Sequence, residues 1–280
     1  MITRVRSITA VCVLGAALAA CGAPQAPRAA RPAPSATSAA PSQPPTLAPG
    51  PAGLTPVFRN GPRTPDRTVA LTFDADMTAD QGPRAAAGER FDNPGLIEAL
   101  RELQVPATVF MTGRWAEEYP RQARDIGRDP LFEVANHSYS HYAFTGDCYG
   151  LPTVPEARMR ADVERAYAAF RRAGVPDARP YFRFPGGCYD RRALRALTPA
   201  GVTAVQWDVV SGDAFATDAD AVARQVLEGV RPGSVVVMHC TRSAAPTTER
   251  AVRSLVPELR RQGFRFVRVS ELIGAAHDRR

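Results

Sequence analysis

Short β-branched apolar runs alternate along the chain with longer segments of helical periodicity. The runs that predict strands are residues 68–73, 107–111, 131–136, 181–184, 202–209, 234–239 and 264–269. The segments that predict helices are residues 94–103, 114–126, 156–173, 191–197, 218–230 and 248–262. In the segment 156–173, Met159, Val163 and Phe170 fall on one helical face, as expected for a helix that packs on a sheet.

The alternation of strands and helices predicts the fold class. Strands that are apolar along almost their whole length are typical of a parallel sheet covered by helices. About seven strand–helix units in roughly 210 residues favour a closed arrangement over an open sheet. We therefore predict an α/β fold, a distorted (β/α) barrel of about seven parallel strands, with the folded domain spanning residues 66–273 and a charged tail at 274–280.

The N-terminal segment has a different composition. Arg4 and Arg6 precede an apolar run, residues 8–20, that is too short to span a bilayer and is typical of a signal peptide. The small residues before Cys21 resemble a bacterial lipobox, in which that cysteine carries the lipid; a plain secretory signal is the alternative. Residues 21–60 are rich in Pro, Ala and Ser, which predicts a disordered linker. We expect an exported protein, anchored by lipid to the extracytoplasmic face of the cell membrane.

The net charge of +7 suggests attraction to polyanions such as a cell wall or a membrane surface. No Lys/Arg-rich run with interleaved aromatic residues is present, so we do not predict binding to nucleic acid. Cys12 is lost with the signal peptide, and Cys148, Cys188 and Cys240 remain in the body of the protein. In an oxidising compartment, one disulfide and one free thiol is the simplest account of three cysteines, and cysteine ligation of a metal is the alternative.

Polar side chains suited to metal binding and proton transfer lie at or just after the ends of five of the predicted strands. They are Asp74, Asp76, His137, His141, Arg183, Asp213 and His239. The carboxyl ends of parallel strands lie on one face of a barrel, so we expect these side chains to lie close together. Structural alternatives remain, because the two aspartates could cap helices, Arg183 could form a surface ion pair, and His239 could be a core histidine.

The residue types indicate a reaction class. The spacing of His137 and His141 allows both imidazoles to bind one metal ion, and two histidines with one carboxylate leave an open position on Zn²⁺. A second carboxylate can then act as a base on water, and a separate histidine can protonate a leaving amine. An arginine can orient a carboxylate through a paired hydrogen bond.

Five segments in order resemble the polysaccharide deacetylases of the NodB-homology type, carbohydrate esterase family 4. They are residues 72–76 (TFDAD), 136–141 (NHSYSH), 182–187 (FRFPGG), 207–213 and 237–239 (VMH). The resemblance covers residues 66–272. It implies a distorted barrel, one divalent metal that is usually zinc, and hydrolysis of an N-acetyl or O-acetyl group on a polysaccharide.

The resemblance also implies roles for individual residues. Asp76, His137 and His141 would bind the metal. Asp74 would be the base and His239 the acid. Arg183 would orient Asp74, and Asp213 would tune the pKa of His239. The backbone N–H of Gly186 would stabilise the oxyanion, and Trp207 and Val237 would line the pocket for the acetyl methyl group.

The chain departs from the usual motifs at four places. Ala75 separates the two aspartates of the first motif, Gly186 replaces a tyrosine, Val210 replaces an aspartate, and Ala214 replaces a tryptophan. These changes open the wall of the groove and leave the substrate undetermined. The remaining cysteines lie in loops near the same rim, where a Cys148–Cys188 disulfide would brace the site.

We therefore predict a metal-dependent deacetylase that acts on a cell-wall or surface polysaccharide such as peptidoglycan. One alternative is a hydrolase of a non-sugar amide or ester on the same scaffold. The other is a non-catalytic, glycan-binding surface lipoprotein. Retention of a base and an acid beside the metal ligands argues against the second alternative.

Overall fold

The computed structural model of the protein describes residues 43–277. The predicted signal peptide, Cys21 and the first part of the predicted linker lie outside the described residues, as does the end of the predicted tail. No helix within the described part of the chain has both the length and the apolar character needed to cross a lipid bilayer.

The strands of the described region form one parallel sheet. They are β1 (Val57–Phe58), β2 (Thr68–Ala75), β3 (Ala107–Met111), β4 (Phe132–Asn136), β5 (Tyr181–Phe182), β6 (Thr203–Val205), β7 (Val209–Val210), β8 (Ser234–His239) and β9 (Arg265–Phe266). The strand order is β1-β6-β5-β4-β3-β2-β8-β7, and β9 also pairs with β2. Because every pairing is parallel, the carboxyl ends of all strands face the same way.

The short connection between β6 and β7 closes the sheet into a barrel. These strands lie near opposite ends of the strand order, yet only residues 206–208 join them. Four peptide steps span at most about 14 Å, so the sheet must curve until its two ends come close. The predicted distorted (β/α) barrel is confirmed.

Helices surround the barrel, and the buried residues of the last one belong to the core inside it. The helices are α1 (Gly82–Ala86), α2 (Pro94–Glu102), α3 (Gly113–Glu118), α4 (Pro120–Arg128), α5 (Glu156–Ala173), α6 (Arg191–Leu197), α7 (Ala219–Gly229), α8 (Thr248–Arg261) and α9 (Val269–His277). Local chemistry fixes several ends. The Asn93 side chain accepts a hydrogen bond from the Leu96 amide and Pro94 begins α2, whereas α5 ends at Gly174 in the left-handed conformation.

The central strand β2 is buried on both faces. Val69, Leu71 and Phe73 belong to the core between sheet and helices, and Ala70 belongs to the core inside the barrel. Because side chains alternate along a strand, Asp74 lies on the same side as Ala70, toward the barrel interior. Asp74 pairs in register with His239 of the neighbouring strand β8, which places both at the carboxyl end of the barrel.

Two predicted elements are each split in the structure. The predicted helix 114–126 is α3 followed by α4, because Pro120 disfavours a helical conformation at Tyr119 and begins a new helix. The predicted strand 202–209 is β6 followed by β7, with residues 206–208 crossing between the sheet ends. Val269, predicted as the end of the last strand, begins α9 instead.

The folded region also begins earlier and ends later than predicted. The Pro45 carbonyl accepts a hydrogen bond from the Tyr181 hydroxyl (2.9 Å), the Leu47 amide donates to Thr203 Oγ1 (3.3 Å), and β1 pairs with β6. Helix α9 reaches His277. The order of residues 43–60 therefore depends on contacts with distant residues, which a Pro-rich composition does not reveal.

Candidate metal centre and active site

The loop after β4 carries His137 and His141 and is tied together by its own polar side chains. Asn136 Oδ1 accepts a hydrogen bond from the Ser138 amide (2.8 Å), and Ser138 Oγ accepts one from the His141 amide (2.9 Å). Ser138 and His141 have φ values of 69° and 55°, in the left-handed region that non-glycine residues rarely adopt. Strained backbone of this kind clusters at functional sites, where the surrounding contacts compensate for it.

Asp162 of α5 holds the same loop from outside. Its Oδ2 atom accepts hydrogen bonds from the amides of Tyr139 (2.9 Å) and Ser140 (3.3 Å). The loop also contacts the start of α3, because the Ser138 carbonyl accepts a hydrogen bond from the Gly113 amide at 2.9 Å. Both imidazoles are therefore presented by a backbone whose polar groups are paired.

Asp76, His137 and His141 converge on one point. One ligand atom from each lies within 4.8 Å of the others, and Asp76 Oδ1 is 3.3 Å from His137 Nε2 and 3.6 Å from His141 Nε2. Asp76 Oδ1 is buried and has no hydrogen-bond partner among the described residues. His137 Nδ1 lies 2.9 Å from the Arg183 carbonyl, which can only accept, so this nitrogen carries the proton and Nε2 keeps its lone pair. The three residues fit a divalent metal ion.

The electrostatics of the cluster also favour a cation. Burial lowers the pKa of His141 to about 4, so its ring is in the neutral, ligating form near neutral pH. Burial opposes charge on Asp76, but His141 and His137 outweigh that effect and hold its pKa well below the usual range. Burial likewise opposes charge on His137, yet Asp74 and Asp76 raise its pKa. The same carboxylates that attract a proton to this point would attract a divalent ion.

On one side of this cluster lies a buried ion pair between Asp74 and Arg183. Arg183 Nη1 is 2.6 Å from Asp74 Oδ1, and the other carboxylate oxygen is 3.7 Å from His137 Nε2. The Arg183 side chain is fully buried, with its guanidinium 3.9 Å from the Phe110 ring centroid and 5.4 Å from that of Trp207. Burial lowers the pKa of Arg183, and the Asp74 charge opposes that effect. The pair fixes one carboxylate oxygen and leaves the other facing the metal ligands.

On the other side lies His239, held by Asp213. His239 Nδ1 is 2.8 Å from Asp213 Oδ1, and Asp213 Oδ2 accepts from the His239 amide (2.7 Å) and from Thr248 Oγ1 (2.7 Å). Ser211 Oγ donates to Asp213 Oδ1 at 2.8 Å. Burial acts to lower the pKa of His239, but the hydrogen bond and charge of Asp213 outweigh it and raise the pKa to about 10. His239 is therefore protonated near neutral pH, with Nε2 only 3.9 Å from Asp76 Oδ2.

The residues predicted to contact substrate lie nearby but differ in accessibility. Gly186 is exposed and has φ 63°, Trp207 is half-buried against Arg183, and Val237 is 95% shielded in β8. Cys148 and Cys188, predicted to pair because both lie in loops near the rim, form a disulfide. Cys240 is fully buried in the core between sheet and helices, with its amide bonded to the Asp74 carbonyl at 2.7 Å.

A cavity of about 280 Å³ extends from the metal ligands toward α1. Asp76 and His141 line one end, and Gln81, Arg84 and Leu151 line the rest together with neighbouring residues. A cavity of about 490 Å³ lies elsewhere, between residues 47–57 and α6, but its only charged lining residue is Arg191. The smaller cavity is therefore the candidate substrate groove.

Several residues that support the site were missed by sequence reasoning. Asp162, Ser211 and Thr248 act through hydrogen bonds to the loop and to Asp213, and Thr241 Oγ1 accepts from the Asp76 amide at 2.9 Å. Ser211 lies within the motif segment 207–213 but was assigned no role, and the other three lie outside the five segments. Asp162 gives one weak signal, since it is a half-buried acid in the middle of a long amphipathic helix.

The sequence and the fold both match known proteins. The sequence profile of polysaccharide deacetylases matches residues 61–205. A chitooligosaccharide deacetylase of Bradyrhizobium sp. (strain ANU 289) is 31% identical over 210 residues, which cover 71% of this chain and 87% of that protein. A solved peptidoglycan N-acetylglucosamine deacetylase superposes with a TM-score of 0.66 at 26% identity, covering 78% of this chain and 92% of that one.

A second solved structure shows that the fold is shared more widely than the activity. A carbohydrate esterase family 4 pseudoenzyme from Bacillus anthracis superposes with a TM-score of 0.63 at 23% identity, covering 82% of this chain and 70% of that one. The family assignment here rests on the profile and on the curated relative, and it confirms the predicted resemblance. This chain belongs to the polysaccharide deacetylase family of hydrolases.

Proposed function

We propose that the protein is a metal-dependent deacetylase that hydrolyses N-acetyl groups on the amino sugars of a cell-wall polysaccharide. The observation that carries this proposal is the arrangement around Asp76, His137 and His141. A carboxylate, Asp74, and a protonated imidazole, His239, lie on either side of these three candidate ligands. Amide hydrolysis needs a base for water and an acid for the leaving nitrogen, and the arrangement supplies both.

The three candidate ligands would hold one divalent ion. When bound, such an ion would polarise the acetyl carbonyl and lower the pKa of a water molecule to about 7. Two imidazole nitrogens and a carboxylate suit Zn²⁺, the metal we propose, and also other first-row divalent ions. The burial of Asp76 Oδ1 without a described hydrogen-bond partner supports the assignment.

The proton transfers follow from the two flanking pairs. Asp74, fixed by Arg183, would accept a proton from the attacking water through its free carboxylate oxygen. His239 would donate its Nε2 proton to the leaving nitrogen, so that acetate and a free amino sugar are released. Asp213 holds the His239 ring through Nδ1 and stabilises its charged form. The backbone N–H of Gly186, which is exposed, would donate to the developing oxyanion.

The substrate is proposed from similarity and from the chain's N-terminal segment. The relatives are named for chitooligosaccharide and for peptidoglycan N-acetylglucosamine. A signal peptide, a lipid on Cys21 and a long Pro-rich linker would place the domain at the cell wall, outside the membrane. We therefore propose an acetylated wall glycan such as peptidoglycan as the substrate.

Two rival functions follow from specific observations. Gly186 and Ala214 stand where the family usually has tyrosine and tryptophan, and this change in the residues at the site favours testing O-acetyl esters and non-sugar amides as substrates. The pseudoenzyme with the same fold favours testing a purely glycan-binding role. Retention of both Asp74 and His239 supports catalysis, because glycan binding alone requires neither a base nor an acid.

Acetate release from an N-acetylglucosamine oligosaccharide, with and without a chelator, tests the proposal. We expect release by the purified protein, loss of release after chelation, and recovery when Zn²⁺ is added back. A metal analysis of His137→Ala should show loss of the bound ion relative to the wild type. Chelator-insensitive release would reject the metal-dependent mechanism, and release from O-acetyl esters alone would favour the esterase alternative.

A further inference from the structure

The loop between β4 and α5 is closed at its base and pinned at its tip. We call residues 145–153 the bridged loop. At its base, the Ala143 amide donates to the Pro152 carbonyl (2.7 Å) and the Val154 amide donates to the Ala143 carbonyl (2.8 Å). At its tip, the Cys148–Cys188 disulfide joins it to the segment after β5. The bridged loop therefore has little freedom to leave the rim of the barrel.

The bridged loop lies directly against Gly186. A Cβ atom at residue 186 would lie 2.5 Å from Cys148 Sγ, 3.1 Å from Tyr149 Cδ2 and 3.6 Å from Leu151 Cδ1. No side chain fits at residue 186 without displacing the bridged loop. The wall of the groove beside the proposed oxyanion donor is therefore built by side chains of the bridged loop.

Leu151 connects the bridged loop to the candidate centre. It lines the cavity of about 280 Å³ that also contains Asp76 and His141. A substrate whose acetyl group reaches these ligands would pass along the Leu151 side chain. The position of Leu151 thus gives the bridged loop direct access to the part of the substrate that reacts.

Tyr149, two residues before Leu151, lies against Gly186 and presents its aromatic ring to solvent. It is 82% exposed, and its φ of 53° lies in the left-handed region. Among the described residues, the exposed large apolar side chains are Tyr149, Val210 and Phe215, and all three lie on the carboxyl-end rim of the barrel. A ring that is exposed at this rim offers an apolar face to a ligand that binds there. The C–H face of a pyranose ring packs well on an aromatic ring, and the phenol hydroxyl can bond a sugar hydroxyl.

We propose that the bridged loop is a specificity-determining wall for an acetylated glycan. Tyr149 packs on a pyranose ring of that glycan, and Leu151 contacts the acetyl-bearing sugar beside His141. The disulfide holds both side chains in place over Gly186. The inference rests on the proposed function, and it adds the residues that select a sugar chain over a small acetyl compound.

Kinetics on two substrates test this assignment. We compare wild type, Tyr149→Ala and Tyr149→Phe on an N-acetylglucosamine oligosaccharide and on a sugar-free acetyl ester, 4-nitrophenyl acetate. For Tyr149→Ala we expect KM for the oligosaccharide to rise about tenfold, with a much smaller change for the ester, because one aromatic packing partner of the sugar is lost. Tyr149→Phe keeps the ring and should recover most of the affinity. Equal changes on both substrates, or an unchanged KM, would overturn the inference.

Two further measurements test the role of the disulfide and decide the inference if the wild type is inactive. The double variant Cys148→Ser, Cys188→Ser should raise KM for the oligosaccharide while retaining its metal, and adding Tyr149→Ala should raise KM little further. Additive effects would contradict the claim that the disulfide acts through Tyr149.

Calorimetric binding of the same oligosaccharide decides the inference without turnover. If the wild type binds the oligosaccharide but releases no acetate, the proposed function fails. Weaker binding by Tyr149→Ala would still support the proposed role of the bridged loop in binding the glycan.

Discussion

The Asp74 and His239 sides of the candidate centre hold their reactive groups in different ways. Asp74 depends on one ion pair with Arg183, whose side chain is fully buried between two aromatic rings and whose Nη2 has no described hydrogen-bond partner. His239 is 24% exposed at its side chain and depends on Asp213, which accepts four hydrogen bonds. When a single ion pair that is shielded from water is lost, no other contact replaces it. When one hydrogen bond of a network is lost, the remaining hydrogen bonds still hold the group. Substitutions on the two sides should therefore have effects that differ in size and in kind.

Arg183→Met should give the largest effect. It leaves the Asp74 carboxylate buried without its counter-ion, so the free energy of unfolding should fall by about 3–5 kcal/mol and catalysis should fall more than a hundredfold. Urea unfolding and acetate release measure the two losses. Arg165→Met is a matched control, since Arg165 also lies over an aromatic ring, Tyr139 at 3.5 Å, but is exposed. Similar losses in both variants would show that ring contact, and not the ion pair, stabilises the fold.

Asp213→Asn should change the pH dependence as well as the rate. The acid form of His239 is present below its pKa, which is raised to about 10, and is lost as pH rises through that value. Removing the Asp213 charge lowers this pKa toward the ordinary one, so the alkaline limb of kcat should move to lower pH. The rate at pH 8 should fall about a hundredfold, the contribution of a positioned general acid.

Asp208→Asn is the matched control at the other end of β8. Asp208 Oδ1 accepts from the Val235 amide at 2.7 Å, much as Asp213 accepts from the His239 amide. We expect Asp208→Asn to lower stability without moving the pH profile. An unmoved alkaline limb in Asp213→Asn would mean that His239 is not the acid.

Asp162 combines features of the two sides, because it is a carboxylate set away from solvent and it accepts more than one hydrogen bond. Both loop amides donate to its Oδ2 atom, so the single carbonyl oxygen of Asn can accept them but Ala cannot. We expect Asp162→Ala to weaken metal binding about tenfold, as for other groups that orient ligands, and Asp162→Asn to stay near wild type. Metal titration of the chelated protein distinguishes these outcomes, and equal losses in both variants would indicate that the charge itself matters.

The strength of the periodic signal explains which elements the sequence predicts. Helix Glu156–Ala173 and helix Arg191–Leu197 have the predicted bounds, because an apolar face repeats along each of them. The sequence does not reveal the division of 202–209, since Gln206, Trp207 and Asp208 alternate polar and apolar side chains as a continuous strand also does. Residues 43–60 lack any repeat, and their order comes from contacts with distant residues such as Tyr181 and Thr203.

The residues of the candidate site also differ in whether the sequence predicts them. Asp74, Asp76, His137 and His239 lie at or just after the carboxyl ends of strands, so parallel topology alone brings them to one rim. The supports come from elsewhere in the chain: Asp162 is about 20 residues from the amides that it binds, and Thr248 is 35 residues from Asp213. A hydrogen bond between residues so far apart leaves no local pattern, which is why these supports required the structure.

Thr248→Val should give the smallest effect and tests whether the Asp213 network loses one member at a time. The substitution removes one of four hydrogen bonds to Asp213, so the free energy of unfolding should fall by about 1 kcal/mol and kcat by only a few-fold. Thr247→Val is its neighbour and control, because Thr247 is equally buried but donates to the Ala216 carbonyl. We expect a comparable loss of stability in Thr247→Val with unchanged kcat. A loss of activity in Thr248→Val as large as in Asp213→Asn would show that the network acts as one unit, and the contrast between the two sides would then disappear.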